Sequence, residues 1–241
     1  MHSAFFGEFF GTMIMILLGN GVVANVVLRQ SKGEKSGWIV ITAGWCFGVM
    51  AGVFVALALG SDGHLNPAVT IGVAVSSGDW SRIAAYVPAQ FLGAMLGSTL
   101  VWLTYWAHWE KTPDRLDKLG CFCTIPAIRV PAANALTEVI GTFVLIFVAA
   151  AIASKHATTI GLSPGLGPFL VGLLVWGIGL SLGGPTGYAI NPARDLGPRI
   201  MHAVLPIAGK GGSDWNYAPI PIVGPVIGAT VAGLAVKLLQ I

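Results

Sequence analysis

The triplet Asn-Pro-Ala occurs twice in this chain, within Asn66-Pro67-Ala68-Val69-Thr70 and within Asn191-Pro192-Ala193-Arg194-Asp195. Each copy follows a long apolar stretch and opens a short one, about Pro67–Ser77 and Pro192–Val204. Proline is favoured at the first position of a helix, where its missing N–H had no intrahelical partner to lose. The asparagine before it suits the N-cap. Each short piece therefore reads as a helix well below the ~20 residues that a bilayer crossing requires. Backbone that breaks off at membrane depth is tolerated only where it lines a cavity or is buried in protein. Two matching irregular segments of this kind are the layout of a selective pore.

Composition supplies the membrane. The 241 residues are 55% hydrophobic and 10% charged, against roughly 25% charged in a soluble domain. Six longer apolar segments, at about 4–28, 38–60, 83–105, 133–154, 168–183 and 219–239, are each near spanning length. The 33 glycines fit helices that pack closely in lipid. A net charge of +3 gives no reason to expect a nucleic-acid partner. Cys46, Cys121 and Cys123 have no metal-ligand or redox spacing, so no metal and no cofactor are expected. The N-terminus lacks a basic region before its apolar run, so no cleavable signal peptide is expected.

The two halves also match outside the triplets. Gly7-Glu8-Phe9-Phe10-Gly11-Thr12 pairs with Thr137-Glu138-Val139-Ile140-Gly141-Thr142, and Pro88-Ala89-Gln90-Phe91-Leu92-Gly93 resembles Pro219-Ile220-Pro221-Ile222-Val223-Gly224. One channel domain over 1–241 is expected, built from repeats at about 1–110 and 130–241. An odd number of spans per repeat places the second copy upside down. Inverted repeats share a site near the bilayer midplane, so Asn66 is expected beside Asn191. The predicted fold is an all-α membrane protein of six transmembrane helices and two re-entrant half-helices.

With these boxes in this context, nearly the whole chain resembles the major intrinsic protein (aquaporin) family, and within it the aquaglyceroporins of the bacterial glycerol-facilitator type. The resemblance implies a passive homotetrameric channel in the cell membrane, not an enzyme. It would conduct glycerol, other small neutral solutes and some water, and exclude ions and protons. It also implies a selectivity filter of Trp45, Gly179, Tyr188 and Arg194. Glycine at 179 leaves room where water-selective members usually carry histidine. Tyr188 departs from the phenylalanine common in the glycerol branch; its hydroxyl either adds a polar contact or narrows the ring. Asp195, Arg199 and Pro221-Ile222 resemble the same branch. The segment Ser61-Asp62-Gly63-His64 departs from the usual Ser-Gly-Ala-His, and the run from Trp45 to Asn66 is one residue longer than usual. If the extra residue lies in the loop, Trp45 is the filter residue; if it lies in the helix, Cys46 or Gly44 faces the pore. Trp45-Cys46-Phe47-Gly48 fits the family pattern.

On this reading the backbone carbonyls of Asp62, Gly63, His64 and Leu65, and of Tyr188, Ala189 and Ile190, form a ladder of acceptors. The asparagine amides and Arg194 are donors, and the aromatic rings hold the carbon side of a polyol. Glu8, Glu138 and Asp195 brace the loops; a proton relay through the glutamates is the sharper alternative. His64 is expected to be packed rather than to gate with pH. Lys210 is expected in an exposed loop. An alternating-access transporter would need ion coupling, and an enzyme would need a convergent polar cluster; neither has a signal here. Orientation is contested. Family topology leaves Arg82, Lys155 and Lys237 inside. It puts Arg29, Lys32, Lys35, Lys111, Arg115, Lys118, Arg129, Arg194, Arg199 and Lys210 outside, against the positive-inside rule.

Overall fold

The computed structural model describes residues 3–157 and 160–241. Among them every regular element is a helix: α1 (Ala4–Val27), α2 (Trp38–Ala58), α3 (Pro67–Ser77), α4 (Ile83–Thr104), α5 (His108–Lys111), α6 (Arg115–Gly120), α7 (Pro131–Ala153), α8 (Leu166–Leu182), α9 (Pro192–Val204) and α10 (Ile220–Leu239). Five of these (α1, α2, α4, α7 and α10) are long and apolar enough to cross a membrane, and α8 is equally apolar but shorter. At 1.5 Å per residue its 17 residues rise about 26 Å, slightly under the ~30 Å hydrocarbon core. The chain is an integral multi-pass membrane protein.

The half-helices begin as their sequences dictate. Asn66 and Asn191 both cap in extended backbone with Pro67 and Pro192 in the first turn, and α3 stops at a left-handed Gly78. With 11 and 13 residues, α3 and α9 rise about 16 and 20 Å. Neither can cross alone; end to end they span the core.

Packing repeats in the two halves. α1 lies against α2 and α4, while α7 lies against α8 and α10. The half-helices trade partners: α3 packs mainly on α10 and α9 mainly on α4. Each half thus supplies the bed for the other's short helix, and the pore segments are held across the whole chain. The third helices approach closely. A Cβ on Gly93 would stand 2.3 Å from the Phe9 carbonyl oxygen, and one on Gly228 would stand 2.3 Å from that of Val139. Phe9 and Val139 each follow a buried glutamate, so Gly93 corresponds to Gly228 and Gln90 to Pro225. The sequence match of 88–93 with 219–224 is therefore one turn out of register. Proline and glycine recur along both helices and favour the wrong frame.

The linker between the halves is not a plain loop. Trp109 on α5 and Phe122, in the turn after α6, are buried against Leu28, Val101 and Leu205. The Asn20 amide, inside α1, donates to the Phe122 carbonyl at 3.0 Å. Cys121 and Cys123 are fully buried free thiols in this plug and serve as small apolar side chains.

Candidate pore and selectivity filter

The N-termini of α3 and α9 meet head to head. Asn66 Oδ1 accepts from the Ala68 N–H at 2.9 Å, and Asn191 Oδ1 accepts from those of Ala193 and Arg194 at 3.0 and 3.1 Å. Each amide nitrogen then crosses to the other box. Asn66 Nδ2 donates to the Ile190 carbonyl at 2.7 Å, and Asn191 Nδ2 to the Leu65 carbonyl at 2.9 Å. Those two carbonyls therefore already hold a donor each. The carbonyls of Asp62, Gly63, His64, Tyr188 and Ala189 accept no backbone or side-chain hydrogen bond within the described residues. Left-handed backbone at Leu65, Tyr188 and Ile190 (φ 52°, 39° and 42°) interrupts the extended runs, so the strain sits where carbonyls are turned.

Two buried glutamates hold these runs. Glu8 accepts from the His64 and Leu65 N–H groups at 2.9 and 2.7 Å, from Gln90 Nε2 at 2.7 Å and from the Ser61 hydroxyl. Glu138 accepts from the Ala189 and Ile190 N–H groups at 3.1 and 2.8 Å. Proline stands at 225 where Gln90 stands in the first half, so Glu138 lacks the matching amide donor. Both carboxylates sit on backbone N–H groups, the geometry of a brace. His64 is pinned as well: its Nδ1 lies 3.1 Å from Thr70 Oγ1 and its ring stacks edge-on to Tyr86 at 5.0 Å. Arg82, Tyr86 and Gln90, one turn apart along α4, carry the outer supports. Tyr86 Oη donates to the Asp62 carboxylate at 2.9 Å, and Arg82 bridges Asp62 and Asp79 at 2.5 and 3.0 Å. The unusual Asp62 is thereby tied to α4.

The second box has its own anchor. Asp195 and Arg199 are an entirely buried ion pair at 2.8 Å. Asp195 also accepts from the Thr124 N–H and hydroxyl at 2.8 and 2.6 Å. Arg199 donates to the carbonyls of Ser213, Asp214 and Thr124 at 2.8, 3.0 and 3.0 Å. Lys210 is not a free loop cation. Its ammonium donates to the carbonyls of His202, Ala203 and Leu205 at 2.6, 2.7 and 2.6 Å, capping the C-terminal end of α9. Sequence reasoning missed Trp38, Arg82, Tyr86, Gln90 and Thr124; only the one-turn spacing of the α4 set was a visible signal.

A cavity of about 320 Å³ runs past both boxes. Asp62 to Asn66 and Tyr188 to Asn191 line it, as do Trp45 and Arg194. Met15, Val49, Val53, Leu145, Ile146, Val171 and Val175 form its apolar surface. The Arg194 guanidinium carbon lies 4.3 Å from the centre of the Trp45 ring, and its Nη1 is buried with no hydrogen-bond partner among the described residues. Of the three α2 candidates Trp45 is the one at the cavity; Gly44 abuts Val22, and Cys46 lies beside Gly172. Gly179 does not line the cavity. A Cβ there would fall 2.8 Å from Tyr188 Cζ and 3.0 Å from its hydroxyl oxygen. The room expected at Gly179 is filled by the Tyr188 ring, and the hydroxyl is buried against α8 rather than facing the lumen.

The family model of the major intrinsic proteins matches residues 1–236. The chain is 55% identical over 94% of its length to a probable glycerol uptake facilitator protein of Thermotoga maritima, covering 94% of that protein. It is 54% identical over 99% of its length to a glycerol uptake facilitator protein of Streptococcus pneumoniae, covering all of it. The solved aquaglyceroporin of Plasmodium falciparum superposes with a TM-score of 0.86 at 29% identity, covering 98% of this chain and 96% of that one.

Proposed function

This chain belongs to the major intrinsic protein family, and from that premise we propose that it is a passive channel for glycerol and other small uncharged solutes in the cell membrane. It also passes some water and excludes ions and protons. The observation that carries this reading is the mixed wall of the cavity. Unpaired carbonyls and the Arg194 guanidinium, which rests against the Trp45 ring, share it with aliphatic side chains. A polyol presents hydroxyls on one edge and C–H groups on the other, so such a wall replaces its hydration shell at little cost and releases it readily. Trp45, Gly179, Tyr188 and Arg194 form the filter, with Gly179 acting by giving its space to the Tyr188 ring.

Ions meet a different balance. Each half-helix N-terminus carries roughly half a positive charge, and Arg194 adds a full one. Cations are repelled, and anions lose hydration that the carbonyls do not replace. The protein works as a homotetramer with one pore per subunit; open glycine faces at Gly21 on α1 and Gly177 on α8 leave backbone free for close helix contact. Purified protein in proteoliposomes, followed by stopped-flow light scattering, is expected to conduct glycerol far above empty vesicles with a low activation energy. Vesicles that swell in water but show only background glycerol flux would overturn the assignment.

A further inference from the structure

We propose that Trp38 is a further specificity-determining residue, one that sets the width of the filter from behind by fixing the Tyr188 ring; this rests on the glycerol-channel reading above. Trp38 does not line the cavity. It stands at the start of α2, and its indole N–H donates to the Gly179 carbonyl at 3.0 Å. Gly179 lies in the last turn of α8, where the final carbonyls have no intrahelical donor. The bond therefore ties the N-terminal end of α2 to the C-terminal end of α8.

The Tyr188 ring is caught in that joint. It meets the Trp38 ring edge-on at 5.8 Å between centroids. On its other side it lies on two glycines. A Cβ at Gly183 would stand 2.5 Å from both the Gly179 carbonyl oxygen and Tyr188 Cδ1 and 2.9 Å from Trp38 Cζ2, and the corresponding atom at Gly179 would be 2.8 Å from Tyr188 Cζ. Tyr188 also borders the cavity, as do Trp45 and Arg194. The ring is thus held between the two glycines at the end of α8, the Trp38 ring and the cavity. Trp38 and the two glycines set where it rests. The Tyr188 hydroxyl has no hydrogen-bond partner among the described residues, so packing and the Trp38 tie, not a bond of its own, hold it.

This geometry makes two opposite predictions. Trp38→Phe keeps an aromatic edge and removes the N–H. The tie between α2 and α8 is then lost, the ring is no longer fixed, and the permeability of linear four- and five-carbon polyols relative to glycerol rises about fivefold, the equivalent of one net hydrogen bond. Gly183→Ala pushes the ring forward. Glycerol permeability falls at least several-fold while water permeability stays within about twofold, because a water molecule is narrower. Gly183 has an ordinary negative φ of −78°, but its added methyl group would also press on the Gly179 carbonyl oxygen at 2.5 Å, so the thermal stability of this variant is compared with wild type before its flux is read.

Both variants would be measured in proteoliposomes with water, glycerol and the longer polyols, after checking that they elute as the wild type does. Widening by the first and narrowing by the second support the proposal. A folded variant of either kind with the wild-type solute ranking overturns it. Wild-type vesicles that fail to conduct glycerol would instead sink the channel assignment, which the same experiment reads separately.

Discussion

Replacing Arg194 by alanine separates a filter from a packing residue. A cation in contact with the Arg194 guanidinium would sit about as far from it as the Trp45 ring centre does, 4.3 Å. At an effective dielectric constant of about 20, two unit charges at that distance repel by about 4 kcal/mol. That is close to a factor of 10³ in rate. The half-helix N-termini keep roughly half a charge each, so part of the barrier survives the substitution. We expect proton flux under a pH gradient, read with an entrapped pH dye, to rise at least about tenfold. Glycerol flux should stay within about twofold of wild type, and discrimination against larger polyols should fall. Lys111→Ala is the control: Lys111 is exposed and has no ion pair among the described residues. Lys210 would be a poor control because it caps α9. A folded Arg194→Ala protein that stays as proton-tight as wild type, with unchanged solute ranking, would refute the argument.

Other outcomes follow from the braces. Asp195→Ala leaves Arg199 buried without its carboxylate and should cost about 3–5 kcal/mol of stability. Adding Arg199→Met should recover part of that loss in a thermal unfolding series, and a double variant no better than the single one would count against an ion-pair penalty. Glu138→Gln turns one acceptor into a donor facing the Ala189 and Ile190 N–H groups, a loss of about 1–3 kcal/mol. Glycerol flux should fall with it at constant protein density, whereas a proton relay would abolish proton-linked transport and leave folding intact. Lys210→Ala removes a cation from a helix C-terminus and should lower stability by about 1 kcal/mol while sparing solute ranking; a changed ranking would show that α9 shifts as a unit.

The structure also bears on the conflict over loop charge. Many of the cations assigned to the outer side do not act as free charge. Arg194 and Arg199 are buried, Lys118 and Lys210 donate to backbone carbonyls, and Arg29 and Arg129 pair with Glu34 and Asp214. Lys32, Lys35, Lys111 and Arg115 remain without an ion pair among the described residues, and Arg82, which family topology assigns to the inner side, is engaged with Asp62 and Asp79. The positive-inside rule counts residues, whereas these side chains are committed to tertiary bonds.

What the sequence determined by itself is everything set by local backbone chemistry and by the cost of polar groups in lipid. Proline after asparagine fixed the starts of α3 and α9, and their length forbade a crossing. Glutamates inside apolar spans had to find donors, and Glu8 and Glu138 found backbone N–H groups. A helix apolar all round does not reveal which face meets lipid, neighbour or lumen. That choice belonged to the tertiary structure. It decided that α3 beds on α10 and α9 on α4, and that Gly93 answers to Gly228 rather than Gly224. It also decided that the space at Gly179 holds the Tyr188 ring, with Trp38 behind it. These are distances between residues far apart in the chain, and they are set by close packing and by buried carboxylates finding their donors across it.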